Sequence, residues 1–246
     1  MRHRRLSIAL SMIALALASC SAQGGDPRLV VWAWERPEDL RFLPPDTETA
    51  VLVASLVLAG DGFTARGRAF PLRTERPPST AVVHVEIPPT ARVDWTPQLR
   101  RRLAAAVLHF GRSVPAARVQ VDFEVRASER QILLDLLGDV RRGLPRGTPL
   151  SMTALASWCD TEDWLGRAPV DEIVPMLFRM QPGGNVLKNT LAEGGDFRNP
   201  RCRGALAVST DAPIARAPRG RRVYLFSPRS WTAEDFRAAR RRVEAW

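Results

Sequence analysis

The chain has 246 residues, three cysteines, 25% charged residues and a formal charge of +10, enough length for one large domain with a real core. The charge alone invites a nucleic-acid reading, but no nucleic-acid motif and no basic stripe interleaved with aromatics is present, which argues against that class. Lys188 is the only lysine among 36 basic residues. This reflects a skewed composition more than a binding chemistry, although a basic surface still suits anionic lipid or acidic polysaccharide.

In chain order, Arg2, His3, Arg4 and Arg5 give a basic start, Leu6 to Ala18 is an apolar run of thirteen residues, and Leu17-Ala18-Ser19-Cys20 closes it. Thirteen residues rise about 20 Å as a helix, short of the roughly 30 Å hydrocarbon core, so residues 1–19 read as a signal peptide and 20–27 as a tether. The closing tetrapeptide resembles a bacterial lipobox. That resemblance implies cleavage before Cys20, a lipid on its sulfur and a membrane-anchored protein; Ser21 in place of Asp suggests the outer membrane, facing the periplasm. With Cys20 lipidated, Cys159 and Cys202 remain as a pair for a disulfide, worth roughly 4 kcal/mol in the chain-entropy account. No cysteine and histidine spacing suggests a metal site, and no cofactor is implied.

Residues 28–246 read as one domain. Leu29–Trp34 (LVVWAW) is a first strand, and Ala50–Leu58 (AVLVASLVL) a second, apolar enough to be buried on both faces. Gly60-Asp61-Gly62 turns the chain into a hairpin arm over Phe63–Phe70, inserted after the second strand. Ala81–Ile87 is the third strand, with His84 and Glu86 on one face. Thr96-Pro97 opens a helix with Leu99, Leu103, Val107 and Phe110 on its inner side. Arg118–Val125 (RVQVDFEV) is the fourth strand, and Ser128 to Gln131 reads as a capping box for a helix buried through Ile132, Leu133, Leu136, Leu137 and Val140. Strands over Leu150–Trp158, Ile173–Met180, Ala205–Thr210 and Val223–Phe226 follow. Asp160 or Thr161 caps a short helix, and Thr232 caps a last one. Residues 181–202 read as a loop with at most one helical turn. Eight strands alternating with helices predict an α/β fold, a small and partly degenerate (β/α)8 barrel of TIM-like type with shortened helices. An open doubly wound sheet is the alternative, without the Gly-rich phosphate loop that usually accompanies it.

Side chains two apart on a strand share a face, so Asp122 and Glu124 emerge together, about 6–7 Å apart at Cα, while Val119, Val121, Phe123 and Val125 face the other way. Functional groups of such barrels stand at the C-terminal strand ends. Those ends carry Trp34, Glu35, Glu86, Asp122, Glu124, Trp158, Arg179 and Asp211, with Trp231 just beyond the eighth. Acids with tryptophans suit a sugar cleft, since indoles cover the apolar faces of pyranoses and carboxyls handle glycosidic oxygens.

The segments VQVDFEV, SMTALASWC and DEIVPMLFRM resemble the bacterial domain of unknown function 3142 family, whose membership implies a TIM-barrel-like fold and no particular activity. A more distant resemblance is to the chitinase-type retaining glycosidases, whose fourth strand ends D-x-D-x-E and whose sixth carries M-x-Y-D. Gln120-Val121-Asp122-Phe123-Glu124 keeps the last two acids, and Met176-Leu177-Phe178-Arg179 keeps the methionine. The resemblance implies Glu124 as general acid, with Asp122 assisting. Phe178 lacks the hydroxyl of that pattern, and Arg179 beside two carboxyls is expected to favour their ionised forms.

Two readings remain open: an envelope-anchored, glycoside-hydrolase-like protein acting on or binding a polysaccharide, and an inactive barrel that binds a glycan or an envelope protein.

Overall fold

The computed structural model describes residues 28–179 and 184–246. Cys20, the signal peptide and the tether lie outside these residues. The strands are β1 (Arg28–Ala33), β2 (Glu38–Asp39), β3 (Glu48–Ala59), β4 (Gly62–Gly67), β5 (Leu72–Arg73), β6 (Thr80–Glu86), β7 (Arg118–Phe123), β8 (Leu150–Leu155), β9 (Glu172–Met176), β10 (Ala205–Ser209) and β11 (Arg222–Phe226). Helices α1 (Pro97–Gly111), α2 (Arg130–Gly143), α3 (Trp158–Thr161), α4 (Gly184–Ala192) and α5 (Ala233–Glu244) run between and after them. Strands β1, β3, β6, β7, β8, β9, β10 and β11 pair in parallel around a closed ring, sealed where β1 meets both β11 and β3. The predicted TIM-like barrel is therefore the observed fold. Among the described residues no helix is long and apolar enough to cross a membrane.

Alternation along each strand builds two separate cores. Val30, Trp32, Ala50, Leu52, Val82, Val174, Met176, Ala207 and Tyr224 fill the barrel. Their neighbours, such as Val31, Val51, Val83, Val121, Phe123 and Met152, turn outward against the helices. Both faces are thus dry, which is why the strand sequences read as nearly continuous apolar runs. The buried Ile132, Leu133, Leu136 and Leu137 of α2 each add about 1.5–3 kcal/mol by leaving water.

The base of the barrel is ionic. Glu48, Arg118, Glu172 and Arg222 are each the first residue of their strand and point inward together. Arg222 lies 2.7 Å from Glu48 and 3.2 Å from Glu172, Arg118 reaches both acids at 3.8 and 4.0 Å, and the Tyr224 hydroxyl donates to Glu172 at 2.7 Å. Pairing within this layer is what makes buried charge tolerable there.

The wall is irregular at one seam. Strand β1 pairs with β3 only as far as Val51, and after an irregularity between Leu52 and Ala54 the upper half of β3 takes β4 as an antiparallel partner. The Arg68 guanidinium occupies the gap, donating to the carbonyls of Trp34 and Arg36 at 2.6 Å each. The hairpin arm is thereby pinned to the end of β1.

Some expected boundaries move. Residues 181–202 do not form a mere loop: α4 runs for nine residues, with Leu187 and Leu191 buried one turn apart. The capping box read at Ser128 lies instead at Arg126 and Glu129, where the Glu129 carboxylate accepts from the Arg126 N–H at 2.9 Å and closes a 3-10 turn ahead of α2, whose own N-cap is Glu129. Strand β8 ends at Leu155, so Asp160 and Thr161 lie inside α3 and do not cap a helix. Thr96 and Thr232 cap α1 and α5 as expected, each accepting a backbone N–H at 3.1 Å. Cys159 and Cys202 form a disulfide, tying α3 to the 3-10 turn at Pro200–Cys202.

Candidate functional site at the barrel mouth

Strand β7 supplies the centre of the site. Its inner face carries Gln120, then Asp122, then Glu124 just beyond the strand, because the outer positions are taken by Val119, Val121, Phe123 and Val125 in the helix-facing core. His84 on β6 is the direct register partner of Asp122. Thr153 comes from β8 on the opposite side.

Asp122 is buried, with its side chain 6% exposed, and both its oxygens are engaged. The Thr153 hydroxyl donates to Oδ1 at 2.6 Å, and His84 Nδ1 lies 2.8 Å from Oδ2. A carboxylate can only accept, so Nδ1 carries the proton of this bond. The Trp34 indole meets the His84 ring edge-on at 5.4 Å. Burial pulls His84 downward, but the hydrogen bond and charge of Asp122, helped by Glu86 and Glu124, outweigh it and leave its pKa above 6.5.

Glu124 stands higher and is half-buried. Its one ionic partner among the described residues is Arg179 Nε, 3.2 Å from Oε1. Burial raises the Glu124 pKa, Arg179 opposes this, Asp122 adds to it and His84 subtracts, for a net shift upward. Arg179 does pull Glu124 toward its ionised form, as the sequence reading expects, but that pull does not decide the outcome. Desolvation together with a neighbouring like charge exceeds the pull of a guanidinium that is itself 58% exposed.

An aromatic wall completes the mouth. Phe178 and Phe226 stack at 5.0 Å with their planes 9° apart, and Trp34 packs edge-on to Phe226 at 6.1 Å above Trp32. The two phenylalanines, His84 and Thr153 are site residues that strand-end reading missed. The available signal was inner-face alternation: His84 with Glu86, Thr153 with Ser151, and Phe178 with Met176.

Other sequence candidates go elsewhere. Trp158 is 4% exposed, packed edge-on to Trp164 at 5.3 Å in the outer core, and lines no mouth. Trp231 is equally buried; its indole N–H donates to the Trp32 carbonyl at 3.1 Å and its backbone N–H to Glu38 at 2.9 Å, a structural latch. Asp211 accepts from Ser209 and lines a cavity of about 240 Å³ with Arg229, Asp235 and Arg242 beside α5. Glu35 accepts the Ala69 N–H at 2.9 Å and holds the hairpin arm. Glu86 is exposed at the rim on the His84 face. Of the three tryptophans expected around the cleft, Trp34 alone belongs to it. No cluster of three or more metal-ligating side chains occurs among the described residues.

Comparison of the chain with protein-family models, with curated proteins and with solved structures gave no match in any of the three. What the molecule displays is a closed eight-stranded α/β barrel whose C-terminal mouth joins a buried Asp-His-Thr cluster, a half-buried glutamic acid and an aromatic wall.

Proposed function

We propose that the protein acts on a carbohydrate at this mouth as a glycoside-hydrolase-like enzyme. The observation that carries the reading is the unlike setting of two carboxyls on one strand face. Asp122 is held as an acceptor by Thr153 and His84, whereas burial favours the protonated form of Glu124. Carboxyls placed in contrasting environments are how one site supplies both an acid and an anion. Glu124 then protonates the glycosidic oxygen as the bond from it to the anomeric carbon breaks, Asp122 stabilises the positive charge developing at that carbon, and water adds there and returns its proton to the Glu124 carboxylate. Trp34, Phe178 and Phe226 offer apolar surface to a sugar face. The distant resemblance to chitinase-type glycosidases supports this reading without assigning a substrate, while the resemblance to the 3142 family bears on the fold alone.

A second reading is favoured by the Arg179 and Glu124 ion pair, which occupies the acid, and by the depth of Asp122. In it the barrel binds a glycan, or an envelope protein, without turning it over. Glu124→Gln separates the two when a panel of envelope and dietary glycans is assayed for binding and for new reducing ends. An enzyme loses about 10²–10⁴-fold in turnover while keeping most affinity. Binding with no reducing ends from the unsubstituted protein leaves the second reading, and no binding to any glycan of the panel removes the first and leaves only the envelope-protein form of the second.

The lipobox-like Leu17-Ala18-Ser19-Cys20 supports a lipid anchor and an envelope location. Incorporation of labelled fatty acid that persists in Cys20→Ala refutes that part.

A further inference from the structure

Arg179 is placed oddly for a structural residue. It follows β9 at the rim, is 58% exposed, and meets Glu124 with Nε 3.2 Å from Oε1, while its terminal nitrogens make no hydrogen bond among the described residues. Exposed ion pairs of this kind contribute little to stability, so fold maintenance does not account for it. A guanidinium offers two parallel N–H groups that match a carboxylate, and here that edge is open.

We propose that the ligand of the mouth is a glycan bearing a carboxylate, which takes Arg179 away from Glu124 as it binds. The inference rests on the glycan reading above and names its substrate class. The groups acting on Glu124 are Asp122 on its own strand, His84 from β6 and Arg179 after β9, and Glu86 on β6 acts in turn on His84. Asp122 is already met by Thr153 and His84. Removing Arg179 therefore strips Glu124 of its strongest ionising influence while burial and Asp122 continue to act. A proton from solvent then joins the Glu124 carboxyl, and the bound anion arms the acid that cleaves beside it. With His84 and Glu124 protonated, Arg179 and His84 balance Asp122 and Glu86, so the mouth presents no net negative charge to an anionic sugar. The net positive charge, +10 for the full sequence and +7 once Arg2, Arg4 and Arg5 leave with the signal peptide, favours the approach of such a ligand.

The test is calorimetric titration of the purified protein with trigalacturonate and with its neutral methyl ester, at mildly acidic pH in two buffers of different ionisation heat. The acid form is expected to bind at least about tenfold more tightly than the ester and to take up protons on binding. Arg179→Gln is expected to abolish both effects and, in the free protein, to raise the Glu124 titration followed by carbon-detected NMR; Arg179→Lys, which keeps the charge but not the fork, restores part of the preference. Equal binding of acid and ester overturns the inference and leaves the glycan reading standing. A preference for the acid that survives Arg179→Gln, or a Glu124 titration that does not rise in that variant, also overturns it. Absence of binding by either sugar overturns the inference, and the glycan reading then stands or falls on the wider panel.

Discussion

Replacing Thr153 by valine removes one hydroxyl from the deepest part of the mouth and changes little else in shape. Thr153 is 1% exposed and Asp122 4%, and the bond between them is 2.6 Å long. Valine leaves Oδ1 of a buried carboxylate without a donor, and a hydrogen bond to a charged group contributes about 1.5–3 kcal/mol. We expect a loss of about 2 kcal/mol, which for a domain of this size is roughly 4–8 °C in Tm. Urea denaturation at unchanged m-value measures it. The pH dependence is the sharper part. In the folded protein His84 holds its proton above the ordinary value of 6.5, so its stabilisation is fully present below that value and is lost as pH rises through the raised one. In Thr153→Val the carboxylate leans harder on His84, moving that pKa further up. The deficit is therefore smaller on the acid side, where the imidazolium compensates, than on the alkaline side. His84 and His109 are the only histidines of residues 28–246, so two imidazole signals suffice to follow the shift. A stability loss under about 0.5 kcal/mol, or one that does not vary with pH while His84 titrates unmoved, would refute the Asp-His-Thr cluster as drawn.

Two further changes probe the scaffold. Opening the Cys159 to Cys202 bridge, by reduction or by Cys159→Ser with Cys202→Ser, frees a loop with a sequence separation of 43. The chain-entropy account then predicts a loss of about 4 kcal/mol, read as a Tm lowered by roughly 8–16 °C, and an unchanged melting curve under reductant counts against it. Arg222→Met removes the residue that joins Glu48 and Glu172 at the barrel base, where its own side chain is 8% exposed. Arg118 and the Tyr224 hydroxyl still serve Glu172, and Glu48 is one-third open to water, so the cost falls near the low end for a broken buried pair, about 3 kcal/mol by chemical denaturation. A neutral result would mean that the base layer is hydrated and adds little.

The barrel was legible because its two cores impose a period of two on every strand, and residues 118–125 show why. Alternation assigns Val119, Val121, Phe123 and Val125 to one side and leaves Gln120, Asp122 and Glu124 for the other, whatever the rest of the chain does. What alternation cannot supply is which distant side chain arrives opposite. His84 reaches Asp122 through the register of β6 on β7, and Thr153 reaches it from β8; neither spacing is written in any local segment. The same limit hid the convergence of Glu48, Arg118, Glu172 and Arg222. Each looks alone like an ordinary charge at a strand start, and only closure of the ring brings them together.

The tryptophans failed for a different reason. Nearness to a strand end fixes height along the barrel but not the side on which a residue faces. Trp158 lies beyond the true end of β8 on a helical turn, and Trp231 on a loop folded back under β1; both turn toward the outer core, where a large apolar surface is more stably placed than at a wet rim. Helix α4 was obscured by the glycines around it, which mark its ends, while the Leu187 and Leu191 pair one turn apart was the informative signal. A lumen-facing position that breaks the apolar rule is thus a better pointer to chemistry than any strand-end residue. Apart from the ionic base and isolated hydroxyls such as Ser55 on β3 and Ser209 on β10, the breaks cluster at Gln120, Asp122 and Glu124 along and just past β7, at His84 and Glu86 on β6, and at Ser151 and Thr153 on β8. These are three adjacent strands, and they place the acid chemistry on one wall of the mouth, with the aromatic surface of Trp34, Phe178 and Phe226 contributed from β1, β9 and β11.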